Sequence, residues 1–240
     1  MRGPVAELRA FVDAALVRPV SDSMADPPGT RTRRRVVVGV TLVVGALVLA
    51  WALRIHPGDP LFYAATLALA AVWAAGAVLS GPLRLGRGHT RKGSTPGRPV
   101  VQSLALGALL LAVFLAGALV VARLPGLREP VDDLLDHARF GSLPVVLLIT
   151  VLNGVAEELY FRGALYAALP RHAVAVTTVL YALTTVGSGV PLLVLAATVV
   201  GLVTALQRRV TGGILGPVIT HITWSIGMLL LLPPVLDLVR

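Results

Sequence analysis

Apolar residues fall in long unbroken runs along this chain, longer than the alternation of a half-buried strand or the interrupted stripe of a surface helix. The runs cover about 36–53, 61–79, 100–122, 143–165, 173–207 and 212–232. A helix needs about 20 mostly apolar residues to cross a bilayer, so every run but the fifth predicts one span. The fifth, Ala173–Gln207, carries no charged residue over 35 positions. As one helix it would measure about 52 Å, against a hydrocarbon core of about 30 Å. The chain must turn inside it, and Gly187-Ser188-Gly189-Val190-Pro191 supplies the turn chemistry. The pattern therefore predicts an all-α polytopic transmembrane bundle of about seven spans, with the fifth and sixth rather short.

The polar segments between the runs give an orientation. HPGDP (56–60) is a tight turn. Segment 84–98 holds five basic residues and no acid, Arg31, Arg33, Arg34 and Arg35 precede the first span, Arg171 follows the fourth, and Arg208-Arg209 closes the sixth. Segment 123–142, read as a polar loop, sets three arginines against Glu129, Asp132, Asp133 and Asp136. Seven spans put every basic-rich end on one side. The positive-inside rule assigns that side to the cytoplasm, with the N-terminus inside and the C-terminus outside; Arg54 alone counts against it. Residues 1–35 read as a cytoplasmic tail in which Val5–Val17 has the pattern of a short amphipathic helix. No apolar run lies near Met1, so a cleaved signal peptide is not expected. Residues 36–142 then form accessory spans and loops, and 143–240 a four-helix core.

Composition sharpens this picture. Of 240 residues, 56% are apolar and 14% charged, against about 25% charged in ordinary soluble domains; mean hydropathy is +0.83. A soluble globular domain is excluded. The absence of cysteine excludes disulfides, thiolate metal sites and a cysteine nucleophile. The net charge of +9 lies between apolar runs, so it reads as membrane orientation and not as a nucleic-acid surface. No internal repeat of the kind that builds many transporters is visible.

Only Glu157, Glu158, Arg162 and Arg171 are charged between Phe140 and Gln207, and the first three share one apolar helix. Each ionisable group at mid-bilayer costs about 2.5–3.5 kcal/mol on insertion scales, so all three should face the bundle interior or a water-filled cavity. Glu158 and Arg162 are spaced i,i+4 and can pair along one face. Asn153 and Glu157 share that spacing on a neighbouring face. Adjacent residues point about 100° apart, so one carboxylate can pair with Arg162 while the other points elsewhere. Two carboxyls in different surroundings are a common acid/base device; the alternative is an ion pair that only fixes packing. His221 is the single histidine inside a span. His56, His89, His137 and His172 fall in loops or at span ends and read as solvated.

Glu157-Glu158-Leu159-Tyr160-Phe161-Arg162-Gly163 resembles the EExxxR motif, with its following FRG, of the CAAX protease and bacteriocin-processing (CPBP, Abi/Rce1-like) membrane proteases. The run Gly212–His221 is similar to that family's approach to a helix-borne histidine. The resemblance covers about Leu143–Leu232. It implies an intramembrane endopeptidase in which Glu157 activates water against a peptide carbonyl near the cytoplasmic face. Glu158 and Arg162 would support Glu157, and His221 would bind a metal or stabilise the oxyanion. The core would open toward the cytoplasm. Two positions depart from the pattern: Thr185 stands where the second motif has histidine, and Ser225 where asparagine or aspartate follows the last histidine by four. With Thr185 there, Glu157 and His221 are the metal ligands on offer. Zinc or another divalent metal is weakly supported, because a catalytic zinc normally takes three protein ligands. The implied partners are the lipid bilayer and a peptide or protein substrate. A prenylated substrate is a family association only. The same departures leave open a catalytically impaired membrane scaffold or peptide-binding protein on this fold. A small-solute transporter is the weakest reading.

Overall fold

The computed structural model describes residues 3–20, 30–56, 58–89, 96–139, 142–169 and 171–238. The described residues are nearly all helical: α1 (Pro4–Val12), α2 (Thr30–Ala52), α3 (Pro60–Ser80), α4 (Val100–Val121), α5 (Pro125–Arg139), α6 (Leu143–Ala168), α7 (Ala173–Thr185), α8 (Pro191–Thr211) and α9 (Leu215–Asp237). Six of them, α2, α3, α4, α6, α8 and α9, are long and apolar enough to cross a membrane. The fifth predicted span, α7, is shorter: with the 3-10 turn Val186–Ser188 it reaches 16 residues, about 24 Å. The turn falls where the glycines place it, with Gly189 at φ 71° and Pro191 opening α8. Only one of the two helices flanking it is short, since α8 has 21 residues.

Helix boundaries follow local chemistry. Asp59 caps α3 by accepting a 2.8 Å hydrogen bond from the Leu61 amide, and Pro60 takes the first helical position. Gly212, at φ 68°, ends α8 in the left-handed conformation that glycine adopts without steric cost. The outward stripe of α2 (Val36, Val40, Val43, Leu47, Trp51) is exposed and apolar, as a lipid-facing surface is, while Arg34, Val38 and Thr41 are buried.

Segment 123–142 is not the loop that its polarity suggested. Most of it is α5. Leu127, Val131 and Leu135 recur every four residues, and Val131 and Leu135 pack on Ala118, Ala122 and Leu236. The charges that made the segment look like a loop occupy the rest of the helix surface. Some pair within it, as Arg128 does with Asp132 at 3.1 Å. The N-terminal segment is helical at Pro4–Val12, continues to Val17 as a π-helical turn, and docks on the end of α8. Arg209 donates to the Leu16 carbonyl at 3.1 Å, and the Val20 amide donates to the Val210 carbonyl at 2.9 Å.

The helices carry Arg34, Arg84, Arg87, Arg208 and Arg209 to one end of the bundle. Arg34, near the start of α2, donates to the Pro82 carbonyl just past α3. The segment after α3 then crosses to the α8–α9 turn, where the Ile214 and Leu215 amides donate to the Arg84 and Leu85 carbonyls and the Arg87 amide to the Thr211 carbonyl. This crossing is close enough to require glycine on both sides. A Cβ on Gly213 would lie 2.0 Å from the Gly86 nitrogen, and Gly86 itself has φ 79°. We expect Gly213→Ala to lower the stability of the detergent-solubilised protein by about 1–3 kcal/mol, as overpacking does. Gly117→Ala, where a Cβ meets nothing within 4 Å, should leave it unchanged or slightly raised. Thermal unfolding of both variants against wild type checks this.

Candidate functional site

The site begins with an aromatic wall. Trp73 of α3, buried to 1% exposure, stacks on Tyr160 and Phe161 of α6 with ring centroids 4.6 and 5.2 Å apart. Gly45 of α2 leaves the space, since a Cβ there would fall 2.2 Å from the Trp73 ring. The Tyr160 hydroxyl donates to the Val38 carbonyl at 2.6 Å, which satisfies the buried phenol. These contacts fix the rotation of α6 against α2 and α3. At Leu159–Leu165, the stretch that holds Arg162, α6 widens into a π-helical turn. Such insertions occur mostly as single turns and often at functional sites.

That rotation sends the two glutamates in different directions. Glu158 points into the packed interior and is 0% exposed. Its Oε1 lies 3.1 Å from Nη1 of Arg162 and 2.8 Å from Nδ1 of His221 on α9. Arg162, also 0% exposed, donates from Nη2 to the Gly201 carbonyl of α8 at 3.0 Å. Its guanidinium carbon lies 4.7 Å from the centroid of the Tyr181 ring of α7, within cation–π range. Four helices thus meet on one charge cluster. Glu157 instead faces a cavity of about 220 Å³, lined also by Phe161, Tyr181, Thr184, Thr185, Ala197 and Trp224. Its Oε2 accepts a 2.5 Å hydrogen bond from the Tyr181 hydroxyl.

The other sequence candidates divide. Thr185 lines the cavity with Glu157, but its hydroxyl donates to its own helix at the Ala182 carbonyl, 2.7 Å away. Asn153 sits one turn before Glu157 and donates to the Ile149 carbonyl at 3.0 Å, which leaves its buried Oδ1 without a protein partner. Ser225 lies half-buried one turn beyond His221 and is not in the cavity lining. His56, His89 and His172 lie away from this cluster; His89 meets the Arg18 carbonyl at 2.8 Å. The side chain of His137 is outside the described residues.

Two groups escaped the sequence reading. Tyr181 is, by the family resemblance, the aromatic four residues before Thr185, and the contacts of its hydroxyl with Glu157 and of its ring with Arg162 are not visible in the sequence. Gln207 closes the side of the cluster nearer the arginines. It donates to the Ser103 hydroxyl at 2.9 Å and accepts from Thr220 at 2.9 Å, all three side chains being buried. The available signal was a lone glutamine inside an otherwise apolar run.

The donor set does not fit a catalytic zinc. Among the described residues no three His, Cys, Asp or Glu side chains are grouped as a metal ion would need. The arrangement suits carboxylate chemistry: one acid locked in an ion pair, and a second accessible in a cavity with a phenol hydroxyl on one oxygen.

Comparison with known proteins bears on the same helices. Residues 139–227 match the family model described as type II CAAX prenyl endopeptidase Rce1-like. No curated protein and no solved structure matches the chain. The matched stretch runs from the start of α6 into α9, and it holds Asn153, Glu157, Glu158, Arg162, Thr185, His221 and Ser225. Residues 139–227, which carry the candidate site, are thus similar to the Rce1-like family, while the rest of the chain lies outside the match.

Proposed function

We propose that this protein is an intramembrane endopeptidase in which Glu157 takes a proton from a water in the cavity, and that water attacks a peptide carbonyl. The observation that carries the reading is the division of the glutamate pair. Glu158 is spent on Arg162 and His221, whereas Glu157 faces open volume with Tyr181 as its protein partner. A general base must sit within hydrogen-bond reach of the proton it removes, and of the two acids Glu157 is the one with room for a water beside it. The match to an endopeptidase family supplies the reaction class.

The remaining roles follow from contact. Glu158 and Arg162 position the helix turn that presents Glu157. Tyr181 holds the Glu157 carboxylate, and the proton that Glu157 takes from water passes to the leaving amine. His221, anchored through Nδ1, directs its other ring edge away from Glu158 and is the candidate to stabilise the oxyanion. Thr184 and Thr185 add hydroxyls to the cavity wall. The bilayer is the surrounding medium. The arginine-rich end, with the N-terminal segment docked on it, faces the cytoplasm by the positive-inside rule. The competing reading is a peptide-binding scaffold, which the threonine at position 185 favours. It predicts a partner that co-purifies equally with wild type and Glu157→Gln and is never cut.

Two measurements separate the acids. Terminal-peptide proteomics on membranes carrying wild type or Glu157→Gln at matched levels should show new peptide termini with wild type only. The loss in rate should be about 100-fold or more, the size of a general-base contribution. Termini that persist in Glu157→Gln would sink the assignment of the base. In thermal unfolding, Glu157→Gln should stay within about 1 kcal/mol of wild type, because glutamine still accepts from Tyr181. Arg162→Ala should lose about 3–5 kcal/mol, because it strands the buried Glu158 carboxylate.

A further inference from the structure

The segment that crosses from α3 to the α8–α9 turn borders a second cavity, which shares no lining residue with the one at Glu157. It measures about 630 Å³, and Arg84, Gly86, Arg87, Gly97, Arg98 and Gly212 are among its walls. Small-molecule sites typically enclose about 300–1,000 Å³. The backbone builds this one. Gly88 and Gly97 exchange amide–carbonyl hydrogen bonds of 2.8 and 3.0 Å as an antiparallel bridge. That register sets Arg87 directly opposite Arg98, on one face of the pair. The Arg87 amide also donates to the Thr211 carbonyl, which ties the bridge to the end of α8. Three arginines thus border one cavity, and no acidic side chain is in its lining. Like charges held opposite each other are unfavourable, and an anion between them reverses the sign.

The place of the cavity in the fold selects the anion. Helix α3 ends at Ser80, α4 starts at Val100, α8 ends at Thr211 and α9 starts at Leu215. The cavity therefore lies where four candidate spans end, at the depth of lipid headgroups. The helix ends that lead into it are apolar and exposed: Val78 and Leu79 on α3 at 65% and 64%, Val101 and Leu104 on α4 at 80% and 47%. A phospholipid supplies both chemistries at these two depths, a phosphate for the arginines and acyl chains for the valines and leucines. The planar guanidinium fork matches phosphate oxygens. The lining has neither a carboxylate nor an aromatic ring to receive an ethanolamine or choline cation, so a headgroup of net negative charge fits better than a zwitterion.

We propose that this cavity is a binding site for an anionic phospholipid, with the headgroup phosphate between Arg87 and Arg98 and the acyl chains along Val101 and Leu104 of α4. Basic pockets among transmembrane helix ends hold anionic headgroups in this way. The bound phosphate relieves the repulsion across the Gly88–Gly97 bridge and joins that bridge to the α8–α9 turn, so binding raises the stability of the protein. The site does not depend on the protease reading.

Native mass spectrometry and thermal unfolding of the full chain in detergent test this, with phosphatidylglycerol, phosphatidylcholine, glycerol 3-phosphate and inorganic phosphate as probes. The expected result is retention of phosphatidylglycerol over phosphatidylcholine, and a higher melting temperature with phosphatidylglycerol only. The double variant Arg87→Gln/Arg98→Gln should bind phosphatidylglycerol roughly 30-fold more weakly. Both side chains are exposed, so its lipid-free melting temperature should match wild type. Arg54→Gln, in the α2–α3 turn, also removes positive charge from the chain and should bind as wild type does. Equal retention of phosphatidylcholine overturns the proposal, and this comparison needs wild type alone. So does phosphatidylglycerol binding that is unchanged in the double variant or equally weakened by Arg54→Gln. Equal affinity for glycerol 3-phosphate or inorganic phosphate would make the occupant a free anion and overturn the lipid assignment.

Discussion

A carboxylate and a guanidinium inside a bilayer have little but each other to replace water, and the pairing of Glu158 with Arg162 sets the terms for the rest of this molecule. A buried ion pair recovers its desolvation cost only with good geometry and with its remaining hydrogen-bonding capacity largely met. Here three other helices supply part of that capacity, while Glu158 Oε2 and Arg162 Nε have no hydrogen-bond partner in the protein. His221 comes from α9, the Gly201 carbonyl from α8 and the Tyr181 ring from α7. Gly201 is part of the requirement, since a Cβ there would stand 3.1 Å from the Tyr181 ring and 3.4 Å from the guanidinium. The charge cluster thus acts as a register pin for four helices that are otherwise held largely by apolar contact.

The pin also leaves the neighbouring acid outside the ion pair. Because Glu158 is committed, Glu157 is turned about 100° away on the helix. The aromatic wall of Trp73, Tyr160 and Phe161 keeps α6 from rotating to bury it. The result is a carboxylate held by one phenol hydroxyl beside a small cavity. Stability and chemistry are assigned to adjacent residues, and the mutational effects proposed for them differ in kind for that reason.

Much of this was legible in the sequence. Apolar run length gave the helices, glycine and proline gave the α7–α8 turn, and the i,i+4 spacing of Glu158 and Arg162 gave the pair. The division of the glutamates followed from the helical angle alone. What escaped depended on tertiary contact. The helix α5 was hidden because its charges are solvated and only a narrow stripe packs, so its mean polarity reads as loop. Tyr181 could be counted as an aromatic, but its hydroxyl bond to Glu157 depends on how α7 leans on α6. Gln207 was a single polar residue whose partners, Ser103 and Thr220, lie on other helices.

The central claim is the division of labour between two adjacent carboxyls, and carboxyl-selective chemistry reads it most directly. The purified protein, reconstituted in lipid, is treated with a small hydrophobic carbodiimide and digested, and fragment masses locate the adduct on one residue or the other. The account predicts modification at Glu157, with Glu158 left intact behind its ion pair with Arg162. An adduct at Glu158, or equal modification of both, would contradict it.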